Sequence, residues 1–313
     1  METFTDKEIN SIKKKIPFNN KGKILSISHF GCMDGTISTI PIHNSYDQTT
    51  YLKCTPGKVD EALSKIDGKD YDAIIMTDIS CKDKKIYDGF NNLILIDHHE
   101  TAQEQHDPSK MRFVYMGNSA GVLTRKFMSK YSGNNFEYLR HLSVLGEDYD
   151  LWIHDHSESK GLNELHYHYK CDGFIKRFGA GDMNFTSDER SFIDNRWKTF
   201  KNRYDEMDVY EMDSINGCMV MQSDFINDIC HRLMEEEGFD VVVCKNPRTA
   251  SCSIRSKHPE LNIGNILKEL GSGGGHKLAG GIIEKDPIIL REKLVAFEKA
   301  IYIKHQDMRT ANV

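Results

Sequence analysis

No apolar run in the chain approaches the ~18–20 residues needed to cross a bilayer. The opening segment, METFTDKEINSIKKKIPF, lacks the apolar centre of a signal peptide. The expectation is a cytoplasmic protein without a membrane anchor. No CxxC pair occurs among the eight cysteines, which argues against a disulfide framework and against a thiolate zinc site. Reduced, buried thiols are expected. A basic excess is missing as well: 41 Lys and Arg against 47 Asp and Glu leave a net charge of −6, so bulk electrostatics does not hold nucleic acid here. Any anionic substrate must be gripped locally. With 39% hydrophobic residues the chain is too apolar for disorder. Its 313 residues make one large domain or two moderate ones, at roughly 100–200 residues each.

What is present is an alternation of apolar runs and helical patterns. Thr5-Asp6-Lys7-Glu8 has the capping-box pattern, with Ile9, Ile12 and Ile16 on one helix face. Apolar runs follow at Gly22–Ser28, Tyr51–Cys54, Asp72–Asp78 and Asn92–His99, with helical patterns at Lys58–Ile66, Ser119–Lys130 and Asn135–Leu145. Short, continuously apolar strands between helices predict an α/β fold with a parallel sheet covered on both faces. Residues 154–188 carry clustered His, Tyr and Gly and read as an insertion or lid. A polar helix follows to about residue 207. A second, smaller α/β pattern then runs through strands at Gly217–Met221, Phe239–Lys245 and Thr249–Arg255, a helix at Leu261–Leu270, a glycine loop, a strand at Gly281–Ile283 and a helix at Pro287–Ile303.

The chemistry gathers where apolar runs end. Asp97-His98-His99 closes one run, and a pair of imidazoles flanked by a carboxylate suits Mn, Fe, Co or Zn, the carboxylate orienting a ring through its second nitrogen. His29 with Asp34, then Asp78, then Asp148 or Asp150 stand at comparable positions, and in open α/β sheets sites form at the carboxyl ends of strands. In the second pattern Gly271 and Gly273 to Gly275 permit an anion nest of backbone N–H groups, beside the donors His276 and Lys277. Arg255 can grip a phosphate with parallel hydrogen bonds. His154, His156, His166 and His168 read as surface histidines, and Trp152 and Trp197 as packing residues.

Together these residues resemble the DHH phosphoesterase superfamily over nearly the whole chain. His29-Phe30-Gly31-Cys32-Met33-Asp34-Gly35 is similar to its H-x-x-C-x-D-G first motif, Asp78 to the lone Asp of the second, Asp97-His98-His99 to the third, and Glu147-Asp148-Tyr149-Asp150 to the fourth. Ser253-Ile254-Arg255-Ser256 and the glycine-rich run from Gly271 through His276 to Gly281 resemble the signatures of the companion DHHA1 domain. The resemblance implies a catalytic, metal-binding DHH domain over residues 1–188, a helical connector over 189–208 and a substrate-binding DHHA1 domain over 209–313, with the active site between the two domains. It implies two divalent ions, usually Mn²⁺, with Mg²⁺ or Co²⁺ as alternatives. His29, Asp34 and Asp78 would hold one, and Asp78 would bridge to the other on His98 and Asp148. His99 would face the substrate phosphate and Asp97 would orient a histidine. Arg255, Gly273, Gly274, Gly275, His276 and Lys277 would hold the substrate.

Two points depart from the pattern or stay open. Many members carry D-x-D in the first motif, and Thr36 stands two residues after Asp34, so one ligand is missing unless Cys32 compensates. In the fourth motif Asp148 is preferred to Asp150 because it directly follows Leu145-Gly146-Glu147. The implied activity is hydrolysis of short single-stranded oligonucleotides from one end to mononucleotides. The alternatives are a cyclic or linear dinucleotide or small nucleoside phosphate as substrate, or a nucleotide-binding module with weakened catalysis.

Overall fold

The computed structural model describes residues 3–311 except Phe30, Ala250, Ser272 and His276, with backbone alone at 305 and 307–311. The chain divides into two compact units, Met1–Asp194 and Asn195–Val313. In the first, the elements run α1 (Asp6–Lys15), β1 (Lys23–His29), α2 (Met33–His43), β2 (Gln48–Cys54), α3 (Val59–Leu63), β3 (Ala73–Thr77), β4 (Leu93–Asp97), β5 (Arg112–Val114), α4 (Ala120–Ser132), α5 (Arg140–Asp150) and α6 (Ser157–Phe178), ending in the first part of α7 (Ser187–Glu206). The five strands are parallel, in the order β2-β1-β3-β4-β5.

That order follows from strands apolar on both faces. Along β4, Ile94 and Ile96 join one hydrophobic core with α1, α2, α4, α5 and α6, while Leu93 and Leu95 join another with α3. Successive side chains of a strand point to opposite faces, so an unbroken apolar run is what a sheet covered twice requires. After β1 the chain lays β2 on one side and later β3 on the other. The reversal opens a crevice at the carboxyl ends of β1 and β3, where ligands of open α/β sheets bind.

α1 forms as its capping box predicts: the Thr5 hydroxyl accepts from the Glu8 backbone N–H, and the Glu8 carboxylate accepts from the Thr5 backbone N–H. Residues 154–188, expected as an irregular insertion or lid, instead form α6, broken at Lys170 (φ 58°, ψ 174°), and lead into α7. Leu162, Leu165, Phe174 and Phe178 of α6 are buried in the first core. His and Tyr residues interleaved with those positions hid the helical period in the sequence. β5 also escaped the sequence, being three residues long with a buried Arg112 that stacks on Tyr87 and bonds Asp88.

In the second unit Phe200 and Tyr204 of α7 pack with β7 (Gly217–Met221), α8 (Ile226–Glu235) and β8 (Val241–Lys245). The sheet is completed by β6 (Val209–Glu211), β9 (Ser251–Ser256), β10 (Gly273–Gly275) and β11 (Ala279–Ile283), in the order β10-β11-β9-β8-β7-β6. Its other face carries α9 (Ile263–Glu269) and α10 (Pro287–Ala311). The eight cysteines are free, and all but Cys32 are buried.

The placement of α6 in a core has a measurable consequence. Phe174→Ala should cost about 3–5 kcal/mol, read as a lower unfolding midpoint of the first unit. An unchanged midpoint would return this stretch to the status of a lid.

Candidate metal centre

Register brings the site together. Ser28 of β1 lies opposite Thr77 of β3, and Thr77 opposite Ile96 of β4, so His29, Asp78 and Asp97 leave one edge of the sheet. Asp78 takes left-handed backbone (φ 59°) while its N–H still donates to the Ile96 carbonyl at 3.1 Å. Aspartate is among the few side chains that visit this region, at roughly 1–2 kcal/mol. The turn carries its carboxylate back over the crevice.

Asp34 sits in the first turn of α2, wholly buried, and caps another helix. Its two carboxylate oxygens accept from the backbone N–H groups of Ala120 and Gly121 at 2.7 and 2.9 Å. The positive end of α4 therefore holds this anion in place. Two glycines make the approach possible: a Cβ at Gly35 would stand 2.7 Å from the His29 carbonyl and 2.9 Å from Asp78 Oδ2, and one at Gly121 would stand 2.8 Å from Asp34 Oδ1. Sequence reasoning missed both, although the Asp34-Gly35 step was a visible signal for the first.

Three groups of potential ligands are chained together through two shared residues, Asp78 and His98. Asp78 lies with His29 and Cys32, and again with Asp97, His98 and His99, while Asp34, His98 and Asp150 form a third group, the ligand atoms of each lying within 4.8 Å of one another. Asp78 Oδ1 is 3.1 Å from His98 Nε2, and Oδ2 is 3.7 Å from His29 Nδ1, too long for a hydrogen bond. Its two oxygens thus face two different histidines. Asp78 is 2% exposed, and Oδ2 has no hydrogen-bond partner among the described residues.

Asp97 is engaged as an orienting group. Its Oδ1 accepts from the backbone N–H groups of His98 (2.7 Å) and His99 (3.3 Å) and lies 2.7 Å from His99 Nδ1. Its Oδ2 accepts from the Ser80 hydroxyl. Burial would raise the Asp97 pKa, but the His99 charge and hydrogen bond, with Ser80, hold it below the usual range.

The geometry departs from two expectations, Asp148 in the cluster and His166 at the surface. Asp150, not Asp148, enters the cluster, with Oδ2 at 3.5 Å from His98 Nε2. Two residues on a helix are separated by about 200°, so α5 cannot present both. Asp148 turns the other way and accepts from the backbone N–H groups of Asp155 (2.8 Å) and His156 (3.3 Å), fastening the loop after α5. Thr36 likewise faces away from the cluster: its hydroxyl donates to the Cys32 carbonyl at 3.1 Å and lies 2.9 Å from His166 Nε2. His166, expected at the surface, is buried against it, and burial pulls its pKa down to about 4. Cys32 lies beside His29 and Asp78.

The electrostatics call for a cation. Burial, then the Asp150 and Asp78 charges, push Asp34 up to about 8. Asp150 is raised for the same kinds of reason, burial first and then Asp78. Burial would also raise Asp78, but the neighbouring His29 and His98 hold it far below the ordinary range. His98 rises to about 10: burial opposes its charge, while the Asp78 contact and the Asp150 and Asp34 charges outweigh that opposition. Several acids crowded out of water compete for too few counter-charges. Carboxylate oxygens with imidazoles are a donor set for borderline-to-hard divalent ions, and the orphaned Asp78 Oδ2 is an acceptor such an ion would satisfy. The residues fit.

In the second unit the expected glycine loop is in part an edge strand. Gly273, Gly274 and Gly275 pair with Ile282, Gly281 and Gly280 of β11, and β11 places Ala279 opposite Arg255 of β9. Glycines without side chains left no strand signal in the sequence. Arg255 is half-buried, donating to Asn227 Oδ1 at 2.6 Å and to the Ile254 carbonyl at 2.9 Å. Asn227 is a partner the sequence gave no reason to select. Lys277 is exposed just beyond the strand, and His276 lies outside the described residues.

No protein-family model and no curated protein matches the sequence. Solved structures do match. An exonuclease RecJ bound to manganese aligns with TM-score 0.59 at 10% identity, covering 96% of this chain and 95% of that one. The chain shares the RecJ fold. An exopolyphosphatase-related protein from Bacteroides fragilis aligns with TM-score 0.56 at 12% identity, over 96% and 97% of the two chains. The pGpG-specific phosphodiesterase PggH from Vibrio cholerae aligns with TM-score 0.53 at 15% identity, over 89% and 99%.

The two aspartates of α5 should separate in experiment. Asp150→Asn should weaken Mn²⁺ binding strongly, whereas Asp148→Asn should leave it near wild type and lower stability by about 1–3 kcal/mol. Manganese titration beside thermal unfolding checks both, and the reverse pattern would restore Asp148 to the cluster.

Proposed function

We propose that this chain is a metal-dependent phosphodiesterase of the DHH superfamily, acting on short single-stranded oligonucleotides from one end and releasing mononucleotides. The observation that carries the reading is the buried Asp78 carboxylate, facing His29 with one oxygen and His98 with the other. His29 and Asp78 would hold one divalent ion, and Asp78, Asp34, His98 and Asp150 a second. Bound there, the ions would supply a deprotonated water as nucleophile and neutralise phosphate oxygens. Manganese is the favoured ion, as in the RecJ structure named above.

The chain's own residues supply the rest. Asp97 accepts the Nδ1–H of His99 and so fixes that ring, whose other nitrogen would serve the phosphate. Burial would lower the His99 pKa, yet Asp97 lifts it to about 9, which favours a cationic donor toward an anionic substrate. Asp34, held by the α4 N-terminus, keeps the cluster from relaxing. Arg255, preset by Asn227, would grip the terminal nucleotide with the glycine strand and Lys277. Local gripping of a chain end suits a protein of net charge −6; a long nucleic-acid track would call for basic residues along it.

A second reading keeps the chemistry and shortens the substrate to a linear dinucleotide. The likeness to PggH, nearly the whole of whose chain is covered, favours it. A panel of labelled dinucleotides and oligonucleotides of increasing length, with Mn²⁺ and with chelator, separates the two. No cleavage of any member would leave a nucleotide-binding module.

Division of labour is testable. Arg255→Ala should slow oligonucleotide cleavage roughly 10–150-fold, the worth of a charge-assisted hydrogen bond of ~1.5–3 kcal/mol, while sparing a small aryl phosphodiester. At Gly274 an added Cβ meets nothing within 4 Å, and the residue is not in the left-handed region. Gly274→Val should therefore fold normally and report only whether substrate approaches this strand. Equal losses on both substrates would place Arg255 in the chemical step.

A further inference from the structure

We propose that Cys32 is a metal ligand: its thiolate joins His29 and Asp78 on one ion and biases that position toward a thiophilic divalent ion such as Zn²⁺ or Co²⁺, over Mg²⁺. The inference rests on the metal-dependent reading above and deepens it. Cys32 Sγ, a ring nitrogen of His29 and an oxygen of Asp78 lie within 4.8 Å of one another. Asp78 Oδ2, almost wholly buried in that group, has no hydrogen-bond partner among the described residues.

Three features set Cys32 apart from the other thiols. The other seven are buried, and those of the second unit's sheet belong to its hydrophobic cores, whereas Cys32 is partly exposed. It occupies the residue before α2 in extended backbone (φ −102°, ψ 139°), and its side chain makes no capping hydrogen bond. Its backbone is pinned: the Cys32 carbonyl accepts from the Thr36 N–H at 3.2 Å and the Thr36 hydroxyl at 3.1 Å, and that hydroxyl is backed by His166. Thr36 and His166 are thus positioning residues for the thiol. The Cys32 thiol donates to Asp150 Oδ1 at 3.9 Å, so the sulfur sits at the junction of the two ligand groups.

The chemistry balances. On binding, the thiol gives up its proton to solvent as the sulfur–metal bond forms, and one negative charge takes the place of the carboxylate that a D-x-D motif would supply. Total ligand charge is preserved while softness changes. Thiolate favours zinc-class ions, and carboxylate favours manganese and magnesium.

The test uses the full chain, stripped of metal and titrated with Co²⁺, reading the sulfur-to-cobalt charge-transfer absorption and the bound metal by elemental analysis. The wild type should show the band, and Cys32→Ser should lose it while the ion on Asp34, His98 and Asp150 is kept. Cys32→Asp should also lose the band, hold two ions, and bind Zn²⁺ more than about 100-fold more weakly at this position, beyond the roughly 10–100-fold of changes behind a ligand. Circular dichroism of both variants checks the fold, and the wild-type band stands even if one variant fails to fold. Cobalt bound by the wild type without the band, or a band retained in Cys32→Ser, would overturn the thiolate ligand while leaving the metal reading intact. No cobalt bound by the wild type would bring down that reading, and the thiolate ligand with it.

Discussion

Four carboxylates and three imidazoles share one largely buried corner of the first unit, and most local features of that corner exist to keep them there. Asp34, Asp78 and Asp150 cannot all be ionised in a dry site without a cation, because each would lose its hydration and gain two like charges. Left to relax, such a cluster would turn its side chains to water. The fold prevents this with backbone: the α4 N-terminus holds both oxygens of Asp34, and left-handed backbone fixes Asp78. Gly35 lets α2 pass within reach of both. Stability is spent on an arrangement whose use lies in what it binds.

The parallel sheet was legible because its strands are apolar on both faces, and the corner was legible because its residues follow those strands directly. His29, Asp78, Asp97 and His98 are fixed by strand ends, whose position a sequence displays. Residues supplied by helices were harder. Asp148 and Asp150 differ by about 200° around α5, and which one faces the sheet depends on how the helix is rotated, a property of packing. The rotation of α2 likewise turns Thr36 toward His166. The helix at Ser157–Phe178 was hidden by polar aromatics among its core positions. The glycine strand was hidden by having no side chains to read.

The two units divide the charge problem as well as the chain. The first concentrates negative charge where cations would sit, and the second offers Arg255, Lys277 and exposed backbone where an anion would sit. Neither arrangement needs a basic protein, which reconciles a net charge of −6 with the anionic substrate proposed above. At 10–15% identity to the structures it resembles, the chain has kept their fold without keeping most of their residues. The thiol at position 32 sits in the metal corner itself, beside His29 and Asp78.

The central claim is that one carboxylate, Asp78, serves two ions at once. Calorimetric titration of the metal-free chain with Mn²⁺ tests it most directly, comparing the wild type with Asp78→Asn, a variant of the same shape lacking the charge. The account predicts two ions bound per wild-type chain and loss of tight binding at both positions in a folded Asp78→Asn. Two ions bound by the variant with wild-type affinity would contradict it.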